Sequence, residues 1–177
     1  MTFNKEFSQA WDFVEHTGIS IFLTGKAGTG KTTFLKYVRE HSTKRMIVVA
    51  PSGVAAINAG GVTIHSFFQL PLSPYIPGAQ IQQRFDFSRD KRRIISTLDM
   101  LVIDEVSMVR ADLLDEIDNV LRRLRRNNRP FGGVQLLLIG DLNQLCPVVT
   151  PEDEAVISQY YQSPFFKEIR DTSTVNG

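Results

Sequence analysis

Residues 19–33 read Ile19-Ser20-Ile21-Phe22-Leu23-Thr24-Gly25-Lys26-Ala27-Gly28-Thr29-Gly30-Lys31-Thr32-Thr33. The first six are uncharged, rich in β-branched and aromatic residues and stopped by glycine, the pattern of a short buried strand. The next nine fit the phosphate-binding loop pattern G-x-x-x-x-G-K-S/T at every fixed position, and a helical pattern opens directly behind them. Gly25, Gly28 and Gly30 let the backbone turn tightly, so that the N–H groups of Ala27, Thr29 and their neighbours can point into one concavity. The helix opening at Lys31 adds its positive end to the same spot. Lys31 brings a mobile charge to the β- and γ-phosphates of a nucleotide, and the Thr32 hydroxyl, with Thr33 beside it, is placed to complete a magnesium shell. A strand before the loop and a helix behind it are the context that separates this motif from a glycine-rich turn that binds nothing.

Two further stretches gain meaning beside that loop. Leu101-Val102-Ile103-Asp104-Glu105 is an apolar strand ending in two carboxylates. Asp104 is the expected magnesium holder, acting through water, and Glu105 is free to polarise an attacking water molecule. Strand ends often carry acids for solubility alone, so the pair is informative because the phosphate loop accompanies it. Gly140-Asp141-Leu142-Asn143-Gln144 follows a later apolar run. The Gln144 amide could hydrogen-bond a γ-phosphate or the attacking water without adding charge. Read by itself, the segment is equally a turn built from good turn formers.

The rest of the chain alternates helical and strand patterns. Phe3, Phe7, Ala10, Trp11 and Val14 predict an amphipathic helix over 3–16, ending near Gly18, with Gln9 on its more polar side. The helix behind the loop runs to about His41. Met46 to Ala50 is a second strand, broken by Pro51-Ser52-Gly53, and Val54 to Ala59 a short helix with Ser52 as its N-cap. Residues 70–88, with three prolines, predict a loop or insertion. Lys91 to Leu98 reads as helix, Met100 to Ile103 as strand, Leu113 to Leu124 as the clearest amphipathic helix, and Val134 to Ile139 as strand. A last helix over roughly 152–161 precedes a polar tail, 163–177. Arg122, Arg123, Arg125 and Arg126 close the long helix, where cations suit the negative end of the dipole and a solvated terminus is expected. Strands alternating with helices predict a mostly parallel sheet covered on both faces, an α/β domain.

Composition sets the outer limits. A chain of 177 residues suits one domain burying roughly 70% of its unfolded surface. The net charge of +1 shows no global basic bias, so a nucleic-acid surface must be local. Cys146 is the single cysteine, which excludes an internal disulfide framework or a thiol metal cluster and fits a reducing interior. No apolar run is long enough for a membrane helix, and residues 1–10 lack the order of a signal peptide. The expectation is a cytoplasmic, nucleoid-associated or nuclear protein with no membrane partner.

Between the loop and the acids lie two blocks, Ala50-Pro51-Ser52-Gly53-Val54-Ala55-Ala56 and Gly60-Gly61-Val62-Thr63-Ile64-His65-Ser66-Phe67. They resemble motifs Ia and Ib of the Pif-type DNA helicases, which with RecD-like enzymes form superfamily 1B. Asp104-Glu105-Val106-Ser107-Met108 is similar to their motif II, where Ile commonly replaces Val106, and Gly140 to Val148 to their motif III. The matches run from residue 25 to 148 in family order. The resemblance implies a RecA-like P-loop NTPase domain that binds ATP and Mg2+ and contributes to translocation on single-stranded DNA. It implies catalytic roles for Lys31, Glu105 and Gln144, and places Ser52, Gly53, His65 and Phe67 near the strand. There a helix N-terminus with a hydroxyl can hold a phosphate and an aromatic can stack on a base. The family often has Thr where this chain has Ser52, and Ser keeps the hydroxyl. Gln9 resembles an upstream glutamine that reads adenine.

Nothing after Val149 resembles the later motifs of a second RecA-like domain, including the arginines that reach the γ-phosphate across a cleft. The expectation is therefore a first motor domain alone, with the second helicase domain absent and low activity in isolation. Two rivals stand beside this reading. A small-molecule phosphotransferase would use residues 70–98 as a lid, which their prolines disfavour. A non-catalytic nucleotide-binding module is disfavoured by intact Glu105 and Gln144. A GTPase lacks its Asn-Lys-x-Asp base-reading motif.

Overall fold

The computed structural model describes residues 4–79, 87–162 and 164. Among these residues five strands form one sheet in which every pairing is parallel: β1 (Ile21–Thr24), β2 (Met46–Ala50), β3 (Val62–Thr63), β4 (Met100–Ile103) and β5 (Gln135–Gly140). Their order across the sheet is β1-β5-β4-β2-β3. Among the described residues seven α-helices connect and flank them: α1 (Lys5–His16), α2 (Lys31–His41), α3 (Gly53–Ala59), α4 (Ile64–Phe68), α5 (Arg89–Thr97), α6 (Ala111–Arg125) and α7 (Pro151–Ile157).

Alternation along the strands divides the core into two layers, because successive side chains point to opposite faces. Met100 and Val102 of β4 join Leu137 and Ile139 of β5 against Val14 of α1 and Phe34, Leu35 and Val38 of α2. Leu101 and Ile103, with Leu136, pack instead on Phe68 of α4, Ile95 of α5 and Ile117 and Leu121 of α6. Helices thus cover both faces, the RecA-like α/β arrangement that the motif order implied.

Local signals start and stop the helices where the sequence suggests. Asn4 caps α1, its Oδ1 accepting from the Phe7 N–H at 2.8 Å, and Ser52 caps α3, its Oγ accepting from the Ala55 N–H at 3.2 Å. Thr63 and Ser88 cap α4 and α5 in the same way. The strand expected from Ile19 begins only at Ile21. Ser20 is engaged elsewhere, its Oγ accepting from the Leu136 N–H at 3.0 Å. The last helix stops at Ile157 and a turn carries on, with the Tyr160 and Tyr161 amides both donating to the Ile157 carbonyl. Residues 62–68, read above only as a motif, form β3 and α4. The 70–88 segment has no helix or strand over 70–79, and its middle lies outside the described residues, as do Phe3, Arg170 and nearly all of the 163–177 tail.

The arginine run at the end of α6 is not simply solvated. Arg125 donates through Nη1 to the carbonyls of Ile95, Ser96 and Leu98 at 2.7, 3.1 and 2.9 Å, and through Nε to Gly132 at 2.8 Å. One guanidinium therefore satisfies the open carbonyl end of α5 and ties it to α6. Arg122 pairs with Asp118 one turn back at 2.7 Å and donates to the Asn128 carbonyl. Arg123 and Arg126 are exposed.

Candidate nucleotide and nucleic-acid sites

The loop between β1 and α2 turns on Gly28 (φ +80°) and Gly30 (φ +92°), left-handed conformations that a side chain would strain. The first helical bond, Phe34 N–H to the Gly30 carbonyl at 2.8 Å, starts α2 directly behind the loop. Lys31 Nζ folds back over the loop and donates to the carbonyls of Gly25 and, at 2.9 Å, Lys26. Thr29 Oγ1 donates to the same Lys26 carbonyl at 2.8 Å. Thr32 and Thr33 are exposed at the first turn of α2.

Strand order brings the other motifs to this loop. β5 lies between β1 and β4, with Thr24 beside Gly140 and Ile103 beside Leu138. The segment after β5 must therefore emerge between the phosphate loop and the two acids. A cleft of about 350 Å3 results, lined by Ala27, Gly28, Gly30, Lys31, Thr32, Thr33, Glu105 and Gln144. Asp141 is buried and closes a turn: its Oδ1 accepts from the Asn143 N–H and its carbonyl from the Gln144 N–H, both at 3.0 Å. That turn holds Gln144 exposed at the cleft. Gly140 is closely approached: a Cβ there would meet Val106 Cγ1 at 3.0 Å and the backbone nitrogens of Val106 and Ser107 at 3.2 and 3.3 Å, tight enough that these neighbours would have to shift slightly.

Asp104 and Glu105 stand at the end of β4, all four of whose residues are buried. The Asp104 N–H donates to the Val49 carbonyl at 2.9 Å, and Asp104 Oδ1 accepts from the Glu105 N–H at 3.0 Å. Glu105 adopts φ +50°, ψ +43°, a left-handed conformation that costs a non-glycine residue about 1 kcal/mol or more and is held by the following 3-10 turn. Burial raises the Asp104 carboxyl above its ordinary value, against the Glu105 N–H and the Lys31 ammonium. Burial also raises Glu105, aided by Asp104 and Asp141 and opposed by Lys31. A carboxylate raised in this way is a better proton acceptor than one in bulk water.

On the other side of Lys31 a second cleft, of about 290 Å3, is floored by Phe7, Ala10, Leu23 and Phe34. Edge-on packing of Phe7 against Phe34 (5.0 Å) and Tyr37 (5.3 Å) docks α1 beside the loop. Gln9, expected to read a base, lines neither cleft: two residues from Phe7 it is turned to solvent, as a 100° step per residue requires. The α1 residues that do face the cleft are Asn4, Glu6, Phe7 and Ala10.

The nucleic-acid candidates are separated by their burial. Ser52 and Gly53 open α3 just past the carboxyl end of β2, with Gly53 exposed. His65 is half-buried on α4; burial, then nearby Arg110, holds its imidazole below the ordinary value, with Asp112 opposing. Phe67 is corrected: it is 6% exposed, packed edge-on against Phe68 at 4.8 Å with the Lys91 ammonium 5.2 Å from its ring centre. A ring so enclosed has no face for a base, so its role here is in the core.

Residues 3–173 match the family model described as PIF1-like helicase. The chain is 38% identical over 165 residues to the ATP-dependent DNA helicase PIF1 of Candida albicans, covering 86% of this chain and 18% of that protein. It is 42% identical over 137 residues to human PIF1, covering 74% and 20%. The structure of Bacteroides Pif1 in complex with ADP-AlF4 superposes with a TM-score of 0.88 at 44% identity, covering 94% of this chain and 38% of that one. Bacteroides Pif1 bound to single-stranded DNA superposes with a TM-score of 0.87. The chain thus spans about a fifth of the curated relatives cited. With the phosphate loop, Glu105 and Gln144 gathered in one cleft, and a family model matched over nearly its whole length, this chain belongs to the PIF1-like helicase family.

Proposed function

We propose that this chain is an ATP- and magnesium-binding motor domain of a Pif-type DNA helicase, coupling ATP hydrolysis to translocation on single-stranded DNA in the whole protein. The observation that carries it is the cleft joining the phosphate loop to Glu105 and Gln144. The triphosphate lies along the loop, with the Lys31 ammonium exchanging its two loop carbonyls for phosphate oxygens. The base occupies the apolar slot beside Phe7 and Phe34. Glu105 accepts a proton from the attacking water, and Gln144 orients that water or the γ-phosphate.

The donors present fit magnesium. Thr32 and Asp104 offer one hydroxyl and one carboxylate, and the described residues contain no cluster of three or more His, Cys, Asp or Glu able to cage a metal. Magnesium bound jointly by a few protein oxygens, water and phosphate needs no more than that, and it supplies charge neutralisation on the phosphates. Single-stranded DNA is assigned to the face formed by Ser52, Gly53 and His65. A second RecA-like domain, bringing arginines to the γ-phosphate, is the partner this reading requires in the whole protein. No helix among the described residues is long and apolar enough to cross a membrane.

The test is Lys31→Ala titrated with a fluorescent ATP analogue and magnesium. Its two hydrogen bonds lie within its own loop, so the apo melting temperature should stay within a few degrees while nucleotide affinity falls at least about tenfold, the loss of one charge-assisted contact of roughly 1.5–3 kcal/mol. Equal affinity would overturn the assignment.

A further inference from the structure

The chain's charge is concentrated at one place. Residues 89–98 and 122–129 hold nine of the 20 Lys and Arg residues and one of the 19 Asp and Glu, so the remaining residues carry 11 basic and 18 acidic groups, a net −7. The two stretches meet in a cleft of about 440 Å3 between α5 and α6, lined by Arg92, Arg93, Ser96, Arg123, Leu124 and Arg126. Helical spacing puts Arg92, Arg93 and Ser96 on one side of α5, and Arg123 and Arg126 on the facing side of α6. Arg125 holds the walls together through its bonds to Ile95, Ser96 and Leu98. No acidic or aromatic side chain lines the cleft.

The cleft also lies away from the nucleotide site. Leu98 caps α5 just before β4 begins, whereas Asp104 and Glu105 follow the other end of β4. It is therefore at the opposite end of the sheet from the phosphate loop.

We propose that this arginine cleft binds the phosphate backbone of duplex nucleic acid, as a second contact separate from the single-strand face. The proposal rests on the helicase reading above for its biological sense, not for its geometry. Arginine forks match phosphate oxygens, and such contacts need no base readout. Single-strand sites pair a basic groove with aromatic platforms, which this cleft lacks; a duplex keeps its bases stacked and can be held through its phosphates alone.

The experiment is fluorescence anisotropy of the chain with a short labelled duplex and, separately, a single strand, at several salt concentrations. The combined variant Arg93→Gln, Arg123→Gln, Arg126→Gln should lose duplex affinity by on the order of tenfold or more at low salt, and flatten the salt slope by up to about 0.9 per lost contact. Its melting temperature, nucleotide binding and single-strand binding should stay near the parent's. The cleft is refuted if the parent binds no duplex, if the variant binds it equally, or if polyglutamate displaces the duplex better than unlabelled duplex does, which would indicate an acidic protein partner. His65→Ala separates the two readings: single-strand binding unchanged by it would remove the Ia–Ib face while leaving the arginine cleft standing.

Discussion

Glu116 offers a sharp check on the electrostatics behind the motif Ib helix. It is 3% exposed on α6, and burial, followed by the negative charge of Asp112, raises its carboxyl from an ordinary 4.5 to about 7. Arg110 opposes this weakly, because its guanidinium is already committed to both Asp112 oxygens at 2.9 and 3.0 Å and to Asp153 at 3.3 Å. The sign follows from proton linkage. Below about pH 4.5 folded and unfolded chains both hold the proton; between about 4.5 and 7 only the folded chain keeps it, so stability falls as pH rises and then levels off. The full shift sets a ceiling of about 3 kcal/mol, and relaxation with water nearby reduces it to about 1–2 kcal/mol. Glu116→Gln keeps the shape and removes the titration. Denaturant melts should find the variant more stable than the parent by about 1–2 kcal/mol near pH 8.5, or roughly 2–8 °C in melting temperature, and equal to it near pH 4.5. His65, held below its ordinary value by burial and Arg110, loses stability in the opposite direction as pH falls, and that contribution cancels in the difference between the two proteins. A stability gap that does not change with pH would refute the reasoning.

Two further outcomes follow from the geometry. Glu105→Gln should leave nucleotide affinity near the parent's while phosphate release in a single turnover falls by roughly 10²–10⁴-fold, the range for a positioned base; an unchanged rate would assign the proton to another group. Arg125→Ala should destabilise by about 2–4 kcal/mol, since it removes a guanidinium that donates to four carbonyls and ties α5 to α6, whereas Arg126→Ala, one residue on and exposed, should stay within about 0.5 kcal/mol. Equal effects in a urea melt would show that the α5–α6 tie is incidental.

The sequence alone is enough for much of what depends on neighbours along the chain. The phosphate loop, the apolar run ending at Asp104, the cap at Ser52 and the amphipathic face of α6 are each set by bonds or periodicity within a few residues, and each stands where it was expected. The family was legible because four motifs in fixed order are also local patterns. Tertiary structure decided what depends on which elements become neighbours. The insertion of β5 between β1 and β4 brings Gln144 to the loop, and no periodicity in β5 specifies that order. Phe67 lies in the core and Gln9 faces solvent for related reasons: an aromatic beside a motif and an amide on a helix have no local signature of the face they will meet. Four consecutive-looking arginines became two kinds only on folding. Arg125 meets the end of a helix some thirty residues earlier, while Arg123 and Arg126 stay at the surface. A side chain's surroundings are set by packing at long range, whereas sequence periodicity records only which way it turns on its own helix or strand.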